Sequence, residues 1–298
     1  AGGGWFRTRI FDRLGHRRKA NTKAGSRRNI AAHYDLGNAF YALWLDPSMT
    51  YSSGIYESGR ETLDVAQEAK CRLVLDELDV EPGNRVLEIG CGWGSMAQRI
   101  AKAGGDVTAI TVSAEQFDLA RARIAQSGLA QRAEVRFQDY RDVEGQFDRI
   151  VSVEMIEAVG EEHWARFFGQ VNERLVPGGH AVIQAITIRE ESFEVYRRHP
   201  DFIQRYIFPG GMLPTVSILE EQAEKHGLEF ESVRRFGQSY ARTLCDWRHR
   251  FLEAWPEIEA LGFDERFRRM WLYYLTYCEV GFETGLIDVG VYRFTRRD

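Results

Sequence analysis

The sequence predicts an α/β fold with a parallel, doubly wound sheet, and three observations lead to that class. Short apolar runs alternate with amphipathic helical patterns between residues 86 and 187. A glycine-rich turn follows the first of these runs, and two further runs come late in the chain, separated by long helical patterns. Such alternation places parallel strands side by side and covers their faces with helices.

The individual elements follow from periodicity and from turn residues. Strands are predicted at Val86–Ile89, Val107–Thr111, Glu134–Gln138, Arg149–Val153, His180–Thr187, Glu229–Phe236 and Asp288–Thr295. Helices are predicted at Thr62–Leu78, from the glycine turn to Ala103, and at Ala114–Gln126, Glu161–Leu175, Phe193–Tyr206, Ile218–His226, Ala241–Ala260 and Asp264–Thr284. The strands have the length of a buried run and the helices a period near 3.6.

The composition is that of an ordinary globular protein, with 44% hydrophobic and 28% charged residues among 298. No run reaches the roughly 18–20 apolar residues of a membrane-spanning helix, and no signal peptide is visible. The four cysteines, Cys71, Cys91, Cys245 and Cys278, lack C-x-x-C spacing, which argues against a disulfide scaffold or a zinc ribbon. We therefore expect a cytoplasmic protein without a metal site.

Charge is distributed unevenly along the chain. Residues 1–28 contain nine Lys or Arg and one acid, Asp12, which gives +8, whereas the whole chain carries −5. The apolar residues of this segment, Trp5, Phe6, Ile10, Phe11 and Leu14, could form one stripe on a short helix. A basic amphipathic helix of this kind is typical of anionic membrane surfaces. Nucleic acid and a solvated, poorly ordered terminus are the alternatives.

The segment Arg85-Val-Leu-Glu-Ile-Gly-Cys-Gly-Trp-Gly-Ser95 indicates the ligand. Glycines at 90, 92 and 94 let a ligand approach the backbone closely, and Glu88 precedes them by two residues. The spacing is G-x-G-x-G rather than the dinucleotide pattern G-x-G-x-x-G, and no phosphate-binding Lys follows. These details favour a nucleoside with a short charged tail, S-adenosylmethionine, over a nicotinamide cofactor.

Neighbouring strand ends support this choice. Gln138 and Asp139 end the third strand, where an acid could accept the adenine amino group. The second strand ends at Thr111 without the usual acid for the ribose hydroxyls, and Gln116 is the expected substitute. Two late strands around helical insertions suit a methyltransferase sheet with a lid.

With these residues assembled, the chain from Asn29 to Arg296 resembles the cyclopropane-fatty-acyl-phospholipid synthase family, which includes mycolic-acid cyclopropane synthases and fatty-acid methyltransferases. The motifs that carry the resemblance are His33-Tyr-Asp with Asn38, Leu45-Asp-Pro with Met49-Thr-Tyr-Ser, Gly90-Cys-Gly-Trp-Gly, Gln138-Asp-Tyr-Arg-Asp142, Tyr206-Ile-Phe-Pro-Gly210, and Tyr273-Tyr274 with Cys278. The implied fold is the seven-stranded class I methyltransferase sheet, Rossmann-like, with helical insertions over an acyl pocket. We place that domain at residues 29–298 and its insertions at about 188–226 and 238–285.

The resemblance also implies site residues. Its cofactor contacts, together with those indicated by the loop, are Tyr51, Ser52, Glu88, Gly90, Gly92, Gly94, Thr111, Gln116, Gln138 and Asp139. The family holds a bicarbonate ion, whose ligands here would be Glu157, Gln184, Tyr240 and backbone groups near Ser53 and Ile186. Glu157, Tyr240 and Gln184 are then the expected catalytic residues. Ser53 and Gln184 depart from the family's usual Cys and His, and the loss of a titratable His puts a proton relay there in doubt.

The implied reaction transfers the methyl group to the double bond of an unsaturated phospholipid acyl chain at the inner membrane face. Bicarbonate then deprotonates the resulting cation and a cyclopropane ring closes. A methyl- or methylene-branched product, saturated by a partner reductase, is the alternative. A lipid-binding protein without catalysis, a methyltransferase for a soluble molecule and a homodimer also stay open; no nucleic acid partner is expected.

Three single residues carry alternatives of their own. Glu157 follows a buried strand, where a carboxylate is often a helix cap, although the resemblance favours a catalytic role. Glu154 could contact the amino acid tail of the cofactor or lie at the surface. Cys278 is expected to pack in the core rather than to act as a nucleophile. Many bacterial members carry an additional N-terminal domain, which we expect to be absent or truncated here.

Overall fold

The computed structural model describes Gly25, His33 and residues 36–297. The predicted basic helix within residues 1–28 therefore lies, apart from Gly25, outside the described part. The strands are β1 Arg85–Ile89, β2 Asp106–Thr111, β3 Ala133–Phe137, β4 Phe147–Val153, β5 Leu175–Ile188, β6 Leu228–Arg235 and β7 Ile287–Arg296. The helices are α1 Asn38–Ala42, α2 Leu63–Leu78, α3 Ser95–Lys102, α4 Ala114–Gln126, α5 Ile156–Val159, α6 Trp164–Arg174, α7 Glu190–Arg198, α8 Val216–Lys225, α9 Gly237–Glu253, α10 Trp255–Ala260 and α11 Glu265–Glu283. Short 3-10 turns lie at Tyr140–Asp142 and Glu161–His163, and a π-helical turn at Ile203–Ile207.

The seven strands form one sheet in the order β3-β2-β1-β4-β5-β7-β6. β1 pairs in parallel with β2 and β4, and the parallel arrangement continues to β3 and β5. β7 inserts between β5 and β6 and is antiparallel to both. The expectation of a wholly parallel sheet is thus corrected at one strand, and the predicted seven-stranded sheet is confirmed.

Alternate side chains of β1 enter different cores, which shows that both faces of the sheet are covered. Leu87 and Ile89 pack with Phe167 and Phe168 of α6, whereas Val86 packs with a cluster that includes Val74 of α2. Period-two alternation sends successive strand residues to opposite faces. The carboxyl ends of β1, β2 and β4 are left to form the floor of a site, as parallel sheets of this class commonly arrange it.

Aromatic residues build a third core beneath the lid. Its fully buried members include Phe40, Tyr41, Trp44, Trp247, Phe251 and Trp271. Trp44 lies just after α1, and the others come from α1, α9 and α11. Many of their rings meet edge to face, as Trp44 does with Trp247 at a centroid distance of 5.7 Å. Aromatic pairs of this geometry contribute beyond their buried area. These aromatic residues thus pack α1, α9 and α11 together and join them to Val289 of β7.

Three predicted boundaries are corrected, each at a proline or at its neighbours. The helix expected over 241–260 is divided into α9 and α10, with Pro256 in the first turn of α10, because proline lacks the N–H that a continuous helix needs. The helix expected over 193–206 ends at Arg198, before Pro200, and a π-helical turn follows. β5 begins at Leu175, so Pro177-Gly-Gly lies inside a strand rather than between elements.

Candidate active site

One cavity of about 640 Å³ extends from the glycine turn to the underside of the lid. Its lining at the sheet end includes Gly90, Gly92 and Asp139, and at the lid end Tyr274 and Phe282. All ten predicted cofactor contacts except Gly94 line it, and so do Glu154, Glu157, Ile186 and Tyr240. Ser53 and Gln184 do not line it: both are fully buried and donate to the Glu154 carboxylate from behind the cavity wall. The structure therefore brings most of the predicted residues of the two groups into a single chamber.

The glycine turn follows β1 and has the backbone that its composition predicts. Gly90, Gly92 and Gly94 have φ values of +82°, +52° and +82°, which side chains disfavour. A Cβ on Gly94 would lie 3.0 Å from the Cβ of Ala120, so glycine lets α3 and α4 approach. A Cβ on Gly92 would meet no protein atom within 4 Å. At that position the space belongs to the cavity and is available to a ligand.

The ends of β2 and β3 supply polar groups beside the turn. The Thr111 hydroxyl donates to the side-chain oxygen of Gln116 at 2.9 Å, which confirms that these two residues are neighbours. Ser113 caps α4 by accepting from the Gln116 backbone N–H. Asp139 is buried and accepts from the Arg141 guanidinium through both carboxylate oxygens, at 2.8 and 2.7 Å. The predicted adenine acceptor is therefore held in place by a cation.

A buried lysine, Lys70, and a buried glutamate, Glu88, lie near the glycine turn. Lys70 of α2 is 1% exposed and its Nζ donates to the Ser52 hydroxyl at 2.8 Å. Glu88 of β1 is also buried, and burial raises its pKa to about 8, while the nearby Lys70 charge opposes the rise. Sequence reasoning did not single out Lys70. A lysine among Ala66, Cys71 and Val74 on the apolar face of a helix was the signal that could have found it.

The Glu154 side chain, directly after β4, accepts three hydrogen bonds in the cavity. Its Oε1 accepts from the Ser53 backbone N–H at 2.9 Å and from the Gln184 side-chain amide at 2.7 Å. Its Oε2 accepts from the Tyr240 hydroxyl at 2.5 Å. The surface position weighed for Glu154 in the sequence analysis is therefore wrong. It lies at the centre of the residues expected to bind an anion.

Glu157, in α5, faces the same space. Its Oε1 accepts from the Ile186 backbone N–H, and its Oε2 has no hydrogen-bond partner among the described residues. Burial, reinforced by the Glu154 charge, raises the pKa of Glu157 to about 8. Glu157 is thus a neutral acid near pH 7, beside a carboxylate held by three donors.

This arrangement bears directly on the bicarbonate ion implied by the resemblance. The donors assigned to it, the Ser53 and Ile186 backbone N–H groups, the Gln184 amide and the Tyr240 hydroxyl, all donate to carboxylates of the chain itself. A further anion at the same point would lose these donors and face the Glu154 charge. Bicarbonate does not fit the site in this form, so these four donors are assigned here to the Glu154–Glu157 pair.

Cys278 lines the cavity half-buried, packed against the aromatic core. Burial raises the pKa of its thiol well above the ordinary range, so it carries no thiolate near neutral pH. This agrees with the expectation of a packing residue.

Comparison with known proteins identifies the family. A sequence profile described as "Mycolic acid cyclopropane synthetase" matches residues 21–292. The chain belongs to the mycolic acid cyclopropane synthetase family. The predicted family is confirmed, and with it the methyltransferase class at the level of the family.

Three members of this family, or of its near relatives, illustrate the similarity. The tuberculostearic acid methyltransferase UfaA1 of Mycobacterium tuberculosis is 43% identical over 272 residues, covering 89% of this chain and 64% of the relative. The cyclopropane-fatty-acyl-phospholipid synthase of Escherichia coli K12 is 40% identical, covering 89% and 66%. The chain thus spans slightly less than two thirds of these two proteins. The crystal structure of mycolic acid cyclopropane synthase CmaA1, complexed with SAH and CTAB, is 31% identical, with a TM-score of 0.85 and coverage of 91% and 98%.

Proposed function

We propose that this member of the mycolic acid cyclopropane synthetase family transfers the methyl carbon of S-adenosylmethionine to the double bond of an unsaturated phospholipid acyl chain, with a cyclopropane ring as product. One observation carries the proposal. A single cavity joins the glycine turn, the half-buried carboxyl groups of Glu154 and Glu157, and an apolar, solvent-exposed mouth. A long apolar substrate could enter from the mouth and present its double bond between the carboxyl groups and the cofactor.

The sheet end fits the cofactor. The space over Gly92, the Thr111–Gln116 pair for the ribose and the buried Asp139 for the adenine amino group are the polar and open positions that a nucleoside needs. Ser52, Glu88, Gly90 and Gln138 line the same end, and Gly94 allows the helix to approach. Tyr51 also lines the cavity, with its hydroxyl 2.8 Å from that of Tyr274. When bound there, S-adenosylmethionine supplies a sulfonium methyl group.

The lid end of the cavity suits a cationic intermediate. Methyl transfer to one alkene carbon leaves a positive charge on the other, and water must be excluded or it would capture that charge. Aromatic rings of Phe208, Tyr274 and Phe282 line this region. An aromatic face stabilises a nearby cation by about 0.5–2 kcal/mol. The same rings exclude water, because they belong to the packed aromatic core.

Tyr240, Gln184 and Glu157 are the proposed catalytic residues around this point. Burial and the Glu154 charge raise the pKa of Tyr240 well above its usual value, so its hydroxyl stays a donor. Gln184 presents a second donor from β5. Glu157 adds a carboxyl group that holds a proton near pH 7. Tyr240 and Gln184 donate to the Glu154 carboxylate, and Glu157 lies close to it. The three residues thus orient the negative charge of Glu154 toward the substrate.

The mouth of the cavity supports peripheral association with the inner face of the membrane. Tyr273, Val280 and Leu286 line the cavity and are at the same time 54%, 48% and 40% exposed. Apolar side chains clustered at a cavity entrance are a feature of lipid-facing surfaces. Within residues 36–297, none of the helices combines the length and apolarity needed to cross a bilayer.

The test is turnover on lipid. Purified protein is incubated with S-adenosylmethionine and vesicles of unsaturated phospholipid, and the acyl chains are analysed by mass spectrometry. The expected result is a gain of one CH₂ per modified chain, with loss of the double bond. Binding of S-adenosylmethionine by calorimetry without any such gain would contradict the proposal and favour a lipid-binding protein. Methylation confined to soluble small molecules would contradict it as well.

A branched product is the second candidate, because the relative with 43% identity is named as a tuberculostearic acid methyltransferase. A hydride shift in the same cation, followed by proton loss, would give a methylene branch that a partner reductase could saturate. Fragmentation of the product separates the two, since the ring and the methylene branch have equal mass and different fragments.

A further inference from the structure

We propose that the Glu154 carboxylate is the base of this reaction, so that the chain carries its own base where the family resemblance implied bicarbonate. The inference rests on the proposed function, since it names the group that takes the proton in that chemistry. Glu154 lines the cavity with both carboxylate oxygens held by donors from three separate parts of the chain.

The donors fix the position of the charge. Ser53 lies 101 residues before Glu154, Gln184 lies 30 after it and Tyr240 lies 86 after it. The segment between α1 and α2, strand β5 and helix α9 thus each contribute a donor to one carboxylate. Ser53, Gln184 and Tyr240 were expected to bind a dissolved anion. In the structure they bind the carboxylate of Glu154 instead. Such preorganised donors hold a charge where the reaction needs it.

The backbone adds a second, independent observation. Glu154 has φ +49°, a left-handed conformation that non-glycine residues adopt rarely and that is concentrated at functional sites. Its N–H donates to the Gln184 carbonyl at 2.8 Å, so main chain and side chain are both anchored to β5. This conformation turns the side chain out of the strand direction and into the cavity.

The chemistry of the contacts favours a base over a structural ion pair. In the part of the chain that the structure describes, no Lys or Arg nitrogen lies within 4.0 Å of the Glu154 carboxylate, and its three partners are neutral. Burial raises the pKa of Glu154, and its three donors, together with the charge of Lys70 beyond 4.0 Å, oppose that rise. A carboxylate that is partly desolvated and unpaired remains basic, whereas a direct salt bridge would lower its affinity for protons.

The step balances as follows. The alkene π pair forms a bond to the methyl carbon, and the C–S bond breaks with its electrons remaining on sulfur. The neighbouring carbon becomes cationic. Glu154 takes a proton from the new methyl group, and the released C–H pair forms the third bond of the ring. Glu154 is then a neutral acid, and the proton leaves to solvent before the next turnover.

The experiment compares wild type with Glu154→Gln, Glu154→Gly and the control Glu162→Gln, which alters an exposed carboxylate nearby in sequence. Glycine suits the left-handed backbone at 154 and opens the space that the side chain fills. Turnover on unsaturated phospholipid vesicles is measured in buffer purged of CO₂ and in buffer with added bicarbonate. Binding of ¹³C-bicarbonate is followed by NMR, and calorimetry with S-adenosylmethionine verifies that each variant retains its cofactor site.

Wild type and Glu162→Gln are expected to turn over equally in both buffers and to bind no bicarbonate. Glu154→Gln is expected to lose about 10²–10⁴-fold in turnover, the usual contribution of a positioned base, and bicarbonate is not expected to restore it because the amide fills the site. Glu154→Gly is expected to bind bicarbonate and to recover part of its turnover saturably.

Two results would overturn the proposal: wild type that binds bicarbonate or slows when CO₂ is removed, and Glu154→Gln that keeps wild-type turnover. Failure of wild type to modify any unsaturated lipid would instead reject the proposed function. In that case the bicarbonate-binding comparison between wild type and Glu154→Gly still decides whether Glu154 fills the anion position.

Discussion

Three carboxyl groups, those of the buried Glu88 and of the half-buried Glu154 and Glu157, line one cavity together with the buried Lys70. Burial raises the pKa of all three, which costs the protein part of its stability and prepares the site for proton transfer. Their environments differ, and the difference assigns the roles. Glu154 has three donors, whereas one oxygen of Glu88 and one of Glu157 has no hydrogen-bond partner among the described residues.

At residue 157, the substitution Glu157→Gln is expected to leave S-adenosylmethionine affinity unchanged and to remove most turnover, on the order of 10²-fold. The Glu154 charge is one cause of the raised pKa of Glu157. Protonation of Glu154 removes that repulsion and lets Glu157 release its own proton, which a glutamine cannot do. Steady-state kinetics and calorimetry on the variant are the measurements. Turnover equal to wild type would reject the role of Glu157.

At residue 88, the prediction concerns stability and pH. The pKa of Glu88 is about 8 in the folded protein and 4.5 in its ordinary state. Between these values the unfolded chain loses a proton that the folded chain keeps, so the free energy of unfolding falls as pH rises. Glu88→Gln removes this dependence. Relative to wild type, its free energy of unfolding should gain about 2–4 kcal/mol between about pH 5 and about pH 8. Urea denaturation at the two pH values tests this, and an equal pH dependence in both proteins would contradict it.

At the residue scale, the sequence predicts a catalytic role for Glu157 but does not reveal the central position of Glu154. Glu157 is expected to be catalytic through its position in the family resemblance. The sequence does not distinguish a contact to the cofactor tail from a surface position for Glu154, because its partners Ser53 and Tyr240 are 101 and 86 residues away. Neither periodicity nor spacing reveals such convergence. Nor does a sequence reveal that a glutamate adopts positive φ.

Among the elements, α11 decides how the cavity meets its surroundings. Its residues Tyr274 and Phe282 are buried, whereas Tyr273, Tyr277 and Val280 on the same helix are exposed. One helix thus serves both the aromatic core and the rim of the cavity. The apolar residues of the rim are the expected point of contact with lipid.

Val280→Glu on α11 is therefore expected to weaken sedimentation with anionic phospholipid vesicles and to slow turnover on them, because a charge at an apolar interface must be dehydrated. The matched control is Val65→Glu on α2, where a valine of similar exposure, 54% against 48%, lies away from the cavity. Both variants should bind S-adenosylmethionine as wild type does. Equal loss of vesicle binding in the two would reject α11 as the contact.

The elements themselves were largely predictable where a pattern is local. The bounds of α4 were predicted correctly, and β1, β2 and α2 within a residue. Errors arose where tertiary pairing overrides the local signal. Pro177-Gly-Gly reads as a loop, yet it lies within β5, since the ladder to β4 already begins at Leu175. The reversed direction of β7 likewise depends on pairing with β5 and β6 and leaves no trace in its own alternation.

For the whole molecule, binding of S-adenosylmethionine should stabilise the fold. A ligand at one hundred times its Kd adds about 2.7 kcal/mol to the free energy of unfolding. At an entropy of unfolding of about 2.1 cal/mol/K per residue, this should raise the Tm of a chain of 298 residues by about 4 °C. Gly92→Ala should lose this shift, because its Cβ would enter the ligand's space. Gly145→Ala is the control, since Gly145 also has positive φ with no protein atom within 4 Å of a Cβ, but lies outside the cavity lining. Differential scanning fluorimetry with and without S-adenosylmethionine measures the Tm shift of each variant. Equal shifts in Gly92→Ala and Gly145→Ala would contradict the assignment of the space over Gly92 to the cofactor.

The left-handed backbone at Glu154 has an evolutionary consequence. Glutamate and glycine codons differ by one nucleotide, and glycine occupies this backbone conformation without strain. A single mutation could therefore exchange a base encoded in the gene for one drawn from dissolved carbon dioxide, while the strand before it and the helix after it keep their places. The encoded base is present in every copy of the protein, so the rate of lipid modification would become independent of the bicarbonate supply of the cell.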